Sequence, residues 1–219
     1  TTQNLRHMIP MSVRHHRVPS VYSPKEVEQL LKVVDRTTVK GRRDYAIILI
    51  AARAGLRASD IANLRFGNLK TETIDIIQFK TKRPLKTILT DELMSAINDY
   101  ADNGRPQSTD DHIFLDDGGY KPIEANNVYA LTRRAFERAD IDCGSRKKGP
   151  HSLRASLATA LLAEGNDYPT IQRVLGQASI ESTKSYAKAD VEQLRNHALS
   201  VPLPSGNLAA LLFGEVCAL

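Results

Sequence analysis

An unbroken apolar run places the tightest constraint on how this chain can fold. Residues 45–52 read Tyr-Ala-Ile-Ile-Leu-Ile-Ala-Ala, within a helix predicted over 43–54. A helix at a protein surface confines its apolar side chains to one stripe. This run is apolar on every side, so we expect the helix to lie at the centre of the domain. Gly55 follows and predicts the helix end, because glycine readily takes the left-handed conformation of a C-cap.

The flanking segments predict smaller elements around this helix. Ser23-Pro24-Lys25-Glu26 is typical of a capping box and predicts a helix that runs to about residue 35. β-rich segments at 73–79 and 86–90 predict a hairpin with a basic turn. Further helices are predicted at 59–64, 91–101, 124–139, 151–164, 168–175 and around 186. The fold class expected is mainly α with a small antiparallel β-sheet (α+β).

Composition excludes several classes of protein. With 42% hydrophobic and 25% charged residues, the chain has an ordinary globular composition. No apolar run approaches the ~18 residues that cross a membrane, and the first residues do not resemble a secretory signal. Cys143 and Cys217 are too few and too far apart for a disulfide framework or a zinc pattern. We therefore expect a cytoplasmic protein with reduced cysteines and no membrane partner.

The positive charge is unevenly distributed. The net charge is +5, and residues 1–25 hold four basic residues and no acidic one, which leaves 26 basic and 25 acidic residues over 26–219. Any contact with DNA therefore requires basic residues clustered on one face, although solvated surface charge is the alternative for each of them. The candidates for DNA binding are Arg42, Arg43, Lys82, Arg83, Lys86, Arg146, Lys147 and Lys148.

A small set of residues has the chemistry needed to break a phosphodiester. Arginine donates two hydrogen bonds to one phosphate, and Arg57 lies on the constrained turn after Gly55. His151 and Arg154 share a helix face in a first turn, where the helix dipole favours a phosphate. Lys80, at the hairpin tip, is placed to enter a DNA groove and carry a proton. This chemistry needs no metal or other cofactor, and we expect none.

Each of these signals is unspecific when taken alone. A His-x-x-Arg pair is common, and Tyr186 is one of seven tyrosines. Lys82 and Lys86 compete with Lys80 for the same role. The nearest metal-ligand cluster, at residues 110–112, is typical of a solvated turn.

In their order along the chain, however, the signals closely resemble the tyrosine recombinase (phage integrase) family over about residues 23–190. The resemblance rests on four segments: Ala54-Gly55-Leu56-Arg57-Ala58-Ser59-Asp60, Gln78-Phe79-Lys80-Thr81-Lys82, Pro150-His151-Ser152-Leu153-Arg154, and the stretch from Leu175-Gly176 to Tyr186. It implies a DNA strand transferase that needs no ATP. It also implies double-stranded DNA as substrate and a homo-oligomer on DNA, from a dimer to a tetrameric synapse. The protein would be associated with the nucleoid in the cytoplasm and encoded by a bacterium, a phage or a mobile element.

The resemblance implies a role for each matching residue. Tyr186 would attack the scissile phosphate and form a 3′-phosphotyrosyl link. Arg57 and Arg154 would bind the nonbridging oxygens, and Lys80 would protonate the departing 5′-oxygen. His151 would handle the tyrosine proton. In support, Asp60 matches an acidic position that buttresses the site.

Two positions depart from the family pattern. Gln177 stands where the family usually has histidine or tryptophan, and it can donate a hydrogen bond to phosphate but cannot transfer a proton at neutral pH. Ala155 stands where many members carry a polar residue. We expect slower chemistry, or proton transfer shifted to Lys80 and His151. A DNA-binding accessory protein with a decayed site and a type IB topoisomerase-like enzyme are the alternatives.

The resemblance also implies a domain organisation. Residues 1–22 are predicted to be a basic linker from a missing N-terminal core-binding domain, and residues 23–200 the catalytic domain. Residues 201–219 are predicted to be a tether and an apolar helix, with a single charge over 207–219. A peptide this apolar needs a groove. We expect it to dock on a neighbouring protomer or back onto its own domain.

Overall fold

The predicted central helix is confirmed. In the computed structural model, which describes residues 18–177, α2 (Val39–Leu49) continues into a π-helical turn, Ile50–Ala54. Side chains 46–51 are 0–1% exposed. The helix begins four residues earlier than predicted because Thr38 caps it, its hydroxyl accepting from the Gly41 N–H at 3.0 Å. Gly55 ends it in the left-handed conformation, with φ of 62°, as expected.

The surrounding elements agree with the predicted ones to within a few residues. The capping box is present, with the Ser23 hydroxyl accepting from the Glu26 N–H at 3.3 Å and Glu26 Oε2 accepting from the Ser23 N–H at 2.7 Å. The described helices and strands are α1 (Pro24–Lys32), α2, α3 (Ala58–Ala62), a 3₁₀ turn (Phe66–Asn68), β1 (Thr73–Ile77), β2 (Pro84–Ile88), α4 (Asp91–Asn103), α5 (Ala125–Arg138), α6 (Pro150–Ala163) and α7 (Tyr168–Leu175). The fold is therefore mainly α with a small antiparallel sheet, as predicted.

The hairpin has one buried and one exposed face. β1 and β2 pair antiparallel, with Asp75 opposite Lys86 and Ile77 opposite Pro84. Side chains alternate across a strand, so Ile76 is buried whereas Ile77 is 65% exposed. β2 packs against α7, which brings the hairpin to the C-terminal end of that helix.

Helix packing brings three distant parts of the chain together. α4 contacts α2, and α6 contacts the π-helical turn. α6 and α7 share a small apolar cluster, in which Ala158, Ile171 and Leu175 are all 0% exposed. The turn after the central helix, the hairpin tip and the start of α6 consequently meet around the end of α7.

The chain entering the domain is held in the core. Val21 and Tyr22, which the predicted linker 1–22 includes, are 6% and 3% exposed. The Tyr22 ring lies 4.6 Å from the Phe136 ring, and its N–H donates to the Ser156 hydroxyl at 2.8 Å. Over residues 18–177, no helix is both long enough and apolar enough to cross a bilayer. The predicted helix around residue 186 and the apolar tail lie outside the described residues.

Candidate active site

Arg57 is fixed by the turn that ends the central helix. It stands in extended conformation directly before α3, and its side chain is 18% exposed. Its Nη2 donates to the Gly176 carbonyl at 3.3 Å. Among the described residues, its buried Nη1 has no hydrogen-bond partner. The guanidinium therefore retains donor capacity beyond the bond that holds it in place.

Asp60 links Arg57 to the hairpin. It lies one turn further along α3, and its side chain is 0% exposed. Its Oδ1 accepts from the Phe79 N–H at 2.8 Å, and its Oδ2 lies 3.8 Å from Arg57 Nη1. Asp60 thus joins an arginine to the residue beside Lys80. The supporting role that the resemblance implies for Asp60 stays a prediction.

Arg154 lies beneath the same turn. It is 2% exposed, and its Nη1 donates to the Gly55 carbonyl at 2.6 Å. Its Nη2 donates to the Leu175 carbonyl. Gly55 and Gly176 are both left-handed C-caps, and each carbonyl accepts from one of the two arginines. Because the C-terminal end of a helix carries partial negative charge, both guanidinium groups are stabilised there.

His151 lies among positive charges. Gly149 and Pro150 place it in the first turn of α6, as predicted. The residue is exposed to solvent, although protein atoms crowd its ring. This crowding lowers the pKa of His151, and the charges of Arg154, Arg57, Lys147 and Lys80 lower it further. The imidazole is thereby kept neutral near pH 7 and able to accept a proton.

Lys80 and Gln177 each lie close in sequence to one hydrogen bond that joins the hairpin to α7. Lys80 is exposed at the hairpin tip, beside Lys82, whose φ is 55°. Gln177 is 9% exposed and follows Gly176, and its N–H donates to the Gln172 carbonyl at 3.0 Å. Between them, Gln78 and the Gly176 carbonyl form a hydrogen bond of 2.9 Å. Sequence reasoning missed Gln78, since a glutamine beside a strand carries no distinguishing signal.

The structure corrects part of the predicted basic surface. Arg43 was predicted to bind DNA, but its side chain is 7% exposed and pairs with Asp44 at 3.0 Å and Asp117 at 2.8 Å. A buried and neutralised arginine cannot present itself to DNA. The sequence alone could not show this pairing, because Asp117 lies far from Arg43 along the chain.

Two further predicted DNA contacts form ion pairs within the chain. Arg42 pairs with Asp99 at 3.2 Å, with both side chains 25% exposed. Arg146 pairs with Glu26 at 2.7 Å and lies 4.2 Å from the Tyr22 ring centroid. Both side chains are partly exposed, and their contacts with DNA stay a prediction. The remaining candidates are exposed: Lys82, Arg83, Lys86, Lys147 and Lys148.

A cleft beside His151 adds residues that the sequence did not single out for DNA binding. It has a volume of about 510 Å³, and Tyr129 and Arg133 of α5 line it together with Lys147 and Lys148. Tyr129 is 45% exposed.

The possible metal ligands Asp110, Asp111 and His112 lie elsewhere in the fold, within 4.8 Å of one another. These three are engaged with each other and with Arg65.

Comparison with known proteins shows which family the chain belongs to. The phage integrase family matches residues 21–193. The chain belongs to that family. Protein y4rA of Sinorhizobium fredii (strain NBRC 101917 / NGR234), named an integrase/recombinase, is 33% identical over 190 residues, which are 84% of this chain and 45% of that protein. Protein y4gC of the same organism, named likewise, is 32% identical over 84% of this chain and 97% of its own length.

Relatives from other organisms and solved structures extend the likeness. Tyrosine recombinase XerA of Thermococcus kodakarensis (strain ATCC BAA-918 / JCM 12380 / KOD1) is 30% identical over 81% of this chain and 61% of its own length. A crystal structure of XerA recombinase matches with a TM-score of 0.68 at 24% identity, over 88% of this chain and 68% of that one. A XerH recombinase bound to its difH substrate matches with a TM-score of 0.70 at 22% identity, over 83% and 53%. This integrase-family chain thus spans about half the length of several relatives, and nearly all of one.

Proposed function

We propose that this chain carries the catalytic domain of a site-specific DNA recombinase, the integrase of a mobile element or phage. It would cleave and rejoin DNA strands through a 3′-phosphotyrosyl intermediate. The observation that supports this most is that Arg57 and Arg154, which lie far apart along the chain, donate to neighbouring carbonyls at the end of α7, Gly176 and Leu175, close to the hairpin that carries Lys80. A phosphoryl-transfer site needs such a cluster, because charge develops on the phosphate oxygens.

In the proposed reaction, the Tyr186 oxygen attacks the scissile phosphorus as the bond from phosphorus to the 5′-oxygen breaks. His151, held neutral, accepts the tyrosine proton, and Lys80 donates a proton to the departing 5′-oxygen. Arg57 and Arg154 stabilise the nonbridging oxygens, with Gln177 as a further donor. Tyr186 lies outside the described residues, so its role is carried by the sequence pattern alone. Rejoining is the reverse, with a 5′-hydroxyl as nucleophile.

The proposal includes the partners and location implied by the family. Lys82, Arg83, Lys86, Lys147 and Lys148 would contact phosphates of double-stranded DNA. The active form would be a homo-oligomer on DNA, from dimer to tetrameric synapse, associated with the nucleoid and encoded by a bacterium, a phage or a mobile element. Residues 1–22 would lead from a core-binding domain. The tail at 201–219 would dock on a neighbour or on its own domain.

Covalent trapping tests this function. The full chain is incubated with nicked suicide duplexes tiled across the DNA on either side of its own gene. We expect a protein–DNA adduct that survives denaturation and is lost in Tyr186→Phe, while DNA binding persists. Tight, salt-sensitive binding with no adduct on any duplex would instead indicate an accessory DNA-binding protein. Relaxation of supercoiled plasmid without strand exchange would indicate a topoisomerase.

A further inference from the structure

Gln78 is the single buried residue of the hairpin tip, residues 77–83. It is 0% exposed, whereas Ile77 and Phe79 on either side are 65% and 53% exposed. A buried amide must satisfy its polar atoms within the protein. The partners of Gln78 lie on two different parts of the fold, and this makes it a connection between them.

One partner is the C-cap of α7. The Gln78 amide Nε2 donates to the Gly176 carbonyl at 2.9 Å, and the same carbonyl accepts from Arg57 Nη2 at 3.3 Å. The approach is close enough to exclude a side chain at position 176. A Cβ there would lie 2.3 Å from Gln78 Nε2 and 3.0 Å from a methyl of Leu85. Hairpin, arginine and helix end thus share one carbonyl oxygen.

The other partner belongs to the hairpin tip. Gln78 Oε1 accepts from the Thr81 hydroxyl at 2.5 Å, and the Gln78 carbonyl accepts from the Lys82 N–H at 2.9 Å. These bonds close the turn on both sides of Lys80. The Lys80 backbone is therefore held within a loop whose anchor is fixed to α7 and, through the shared carbonyl, to Arg57.

We propose that Gln78 is a positioning residue that sets Lys80 relative to Arg57 and to the end of α7. The inference rests on the proposed function, in which Lys80 donates the proton to the 5′-oxygen. Gln78 does not touch the substrate. It acts by fixing the loop that carries the acid, and a misplacement of ~1 Å in such a group costs about 10²-fold in rate.

Sulfur substitution at the leaving group tests this role. A bridging 5′-sulfur departs as a thiolate, whose conjugate acid has a pKa near 8.5, against about 15.7 for water as a model of the oxygen leaving group. Cleavage of the sulfur substrate therefore needs no proton from Lys80. A defect that acts through the acid should disappear on sulfur, whereas general disorder of the site should slow both substrates equally.

The central variant is Gln78→Met, which is similar in shape but lacks the amide. We expect ~10²-fold slower adduct formation on the oxygen substrate and a near wild-type rate on the sulfur substrate. Lys80→Ala sets the reference for complete loss of the acid. Thr81→Val, which removes one bond of the same network, should show a smaller defect of the same selectivity.

Gln172→Met is the matched control. Gln172 donates to the Gln177 carbonyl at 3.2 Å at the same C-cap but makes no bond to the hairpin. Its rates on the two substrates should change by the same factor. Should Gln78→Met fail to fold by circular dichroism, the selectivity of Thr81→Val decides the question.

The outcomes separate this inference from the function beneath it. No adduct from the wild-type chain on either substrate would refute the recombinase proposal. Equal slowing of Gln78→Met, or of Thr81→Val in its place, on both substrates would overturn only the positioning role, provided sulfur rescues Lys80→Ala. If the sulfur substrate does not restore the rate of Lys80→Ala, Lys80 is not the acid, and the positioning role of Gln78 is refuted as well.

Discussion

Replacing Asp60 with alanine should destabilise the domain far more than an ordinary loss of a charged residue. The carboxylate is fully buried, accepts from the Phe79 N–H at 2.8 Å and lies 3.8 Å from Arg57 Nη1. Its removal strands one backbone donor, which costs about 1–3 kcal/mol. It also leaves a largely buried guanidinium without its counter-charge, and breaking such a pair costs about 3–5 kcal/mol in total.

Thermal unfolding followed by circular dichroism measures this effect. For a domain of this size, each kcal/mol shifts Tm by about 2–4 °C, so Asp60→Ala should lower Tm by roughly 6–20 °C. Asp60→Asn keeps an acceptor for Phe79 and should lose less.

Asp75→Ala is the control on the neighbouring strand. Its partner Lys86 lies 3.9 Å away, and the two side chains are 39% and 69% exposed. A surface pair of this kind contributes at most about 1 kcal/mol. If Asp60→Ala shifted Tm no more than Asp75→Ala, the claim that Asp60 ties α3 to the hairpin would be refuted.

Three further outcomes are expected. The pKa of His151 is lowered, so the folded state binds fewer protons than the unfolded chain. The stability of the domain should therefore fall as the pH drops below about 6.5. An NMR titration should place the midpoint of His151 below that value. Lys148→Gln should reduce the salt dependence of DNA binding, whereas Arg43→Met should lower Tm and leave that slope unchanged in fluorescence anisotropy. Gly176→Ala should slow adduct formation on the oxygen substrate at least as much as Gln78→Met does, because its Cβ would displace the Gln78 amide and φ is +57°.

The sequence predicted much of this architecture because its signals are local. The apolar run at 45–52 required a buried helix, and Ser23 with Glu26 specified where α1 begins. The sequence could not predict which side chains pair with one another when they lie far apart along the chain. Arg43 and Arg146 look like surface charges in sequence, yet the acids that pair with them, Asp117 and Glu26, lie far away along the chain.

The sequence indicated which residues belong to the candidate site but not the hydrogen bonds that join them. Arg57, Lys80, His151 and Arg154 were selected by their order along the chain, and the charges of the other three lower the pKa of His151. The shared acceptor at Gly176 could not be predicted, because hydrogen bonds to a backbone carbonyl leave no trace in residue type. The same is true of the amide of Gln78.

The π-helical turn at Ile50–Ala54 has a consequence for insertions and deletions in this family of chains. A π turn holds one residue more than the α-helical turn it replaces. Deleting one residue there would restore a regular α-helix and leave everything after it in nearly the same phase, whereas winding all of these residues as an α-helix would rotate everything after them by about 100° about the helix axis. Arg57 would then point away from Gly176 while the core around Ile47 kept its packing. The wide turn thus absorbs one residue, so that the buried face of α2 and the direction of Arg57 are both kept.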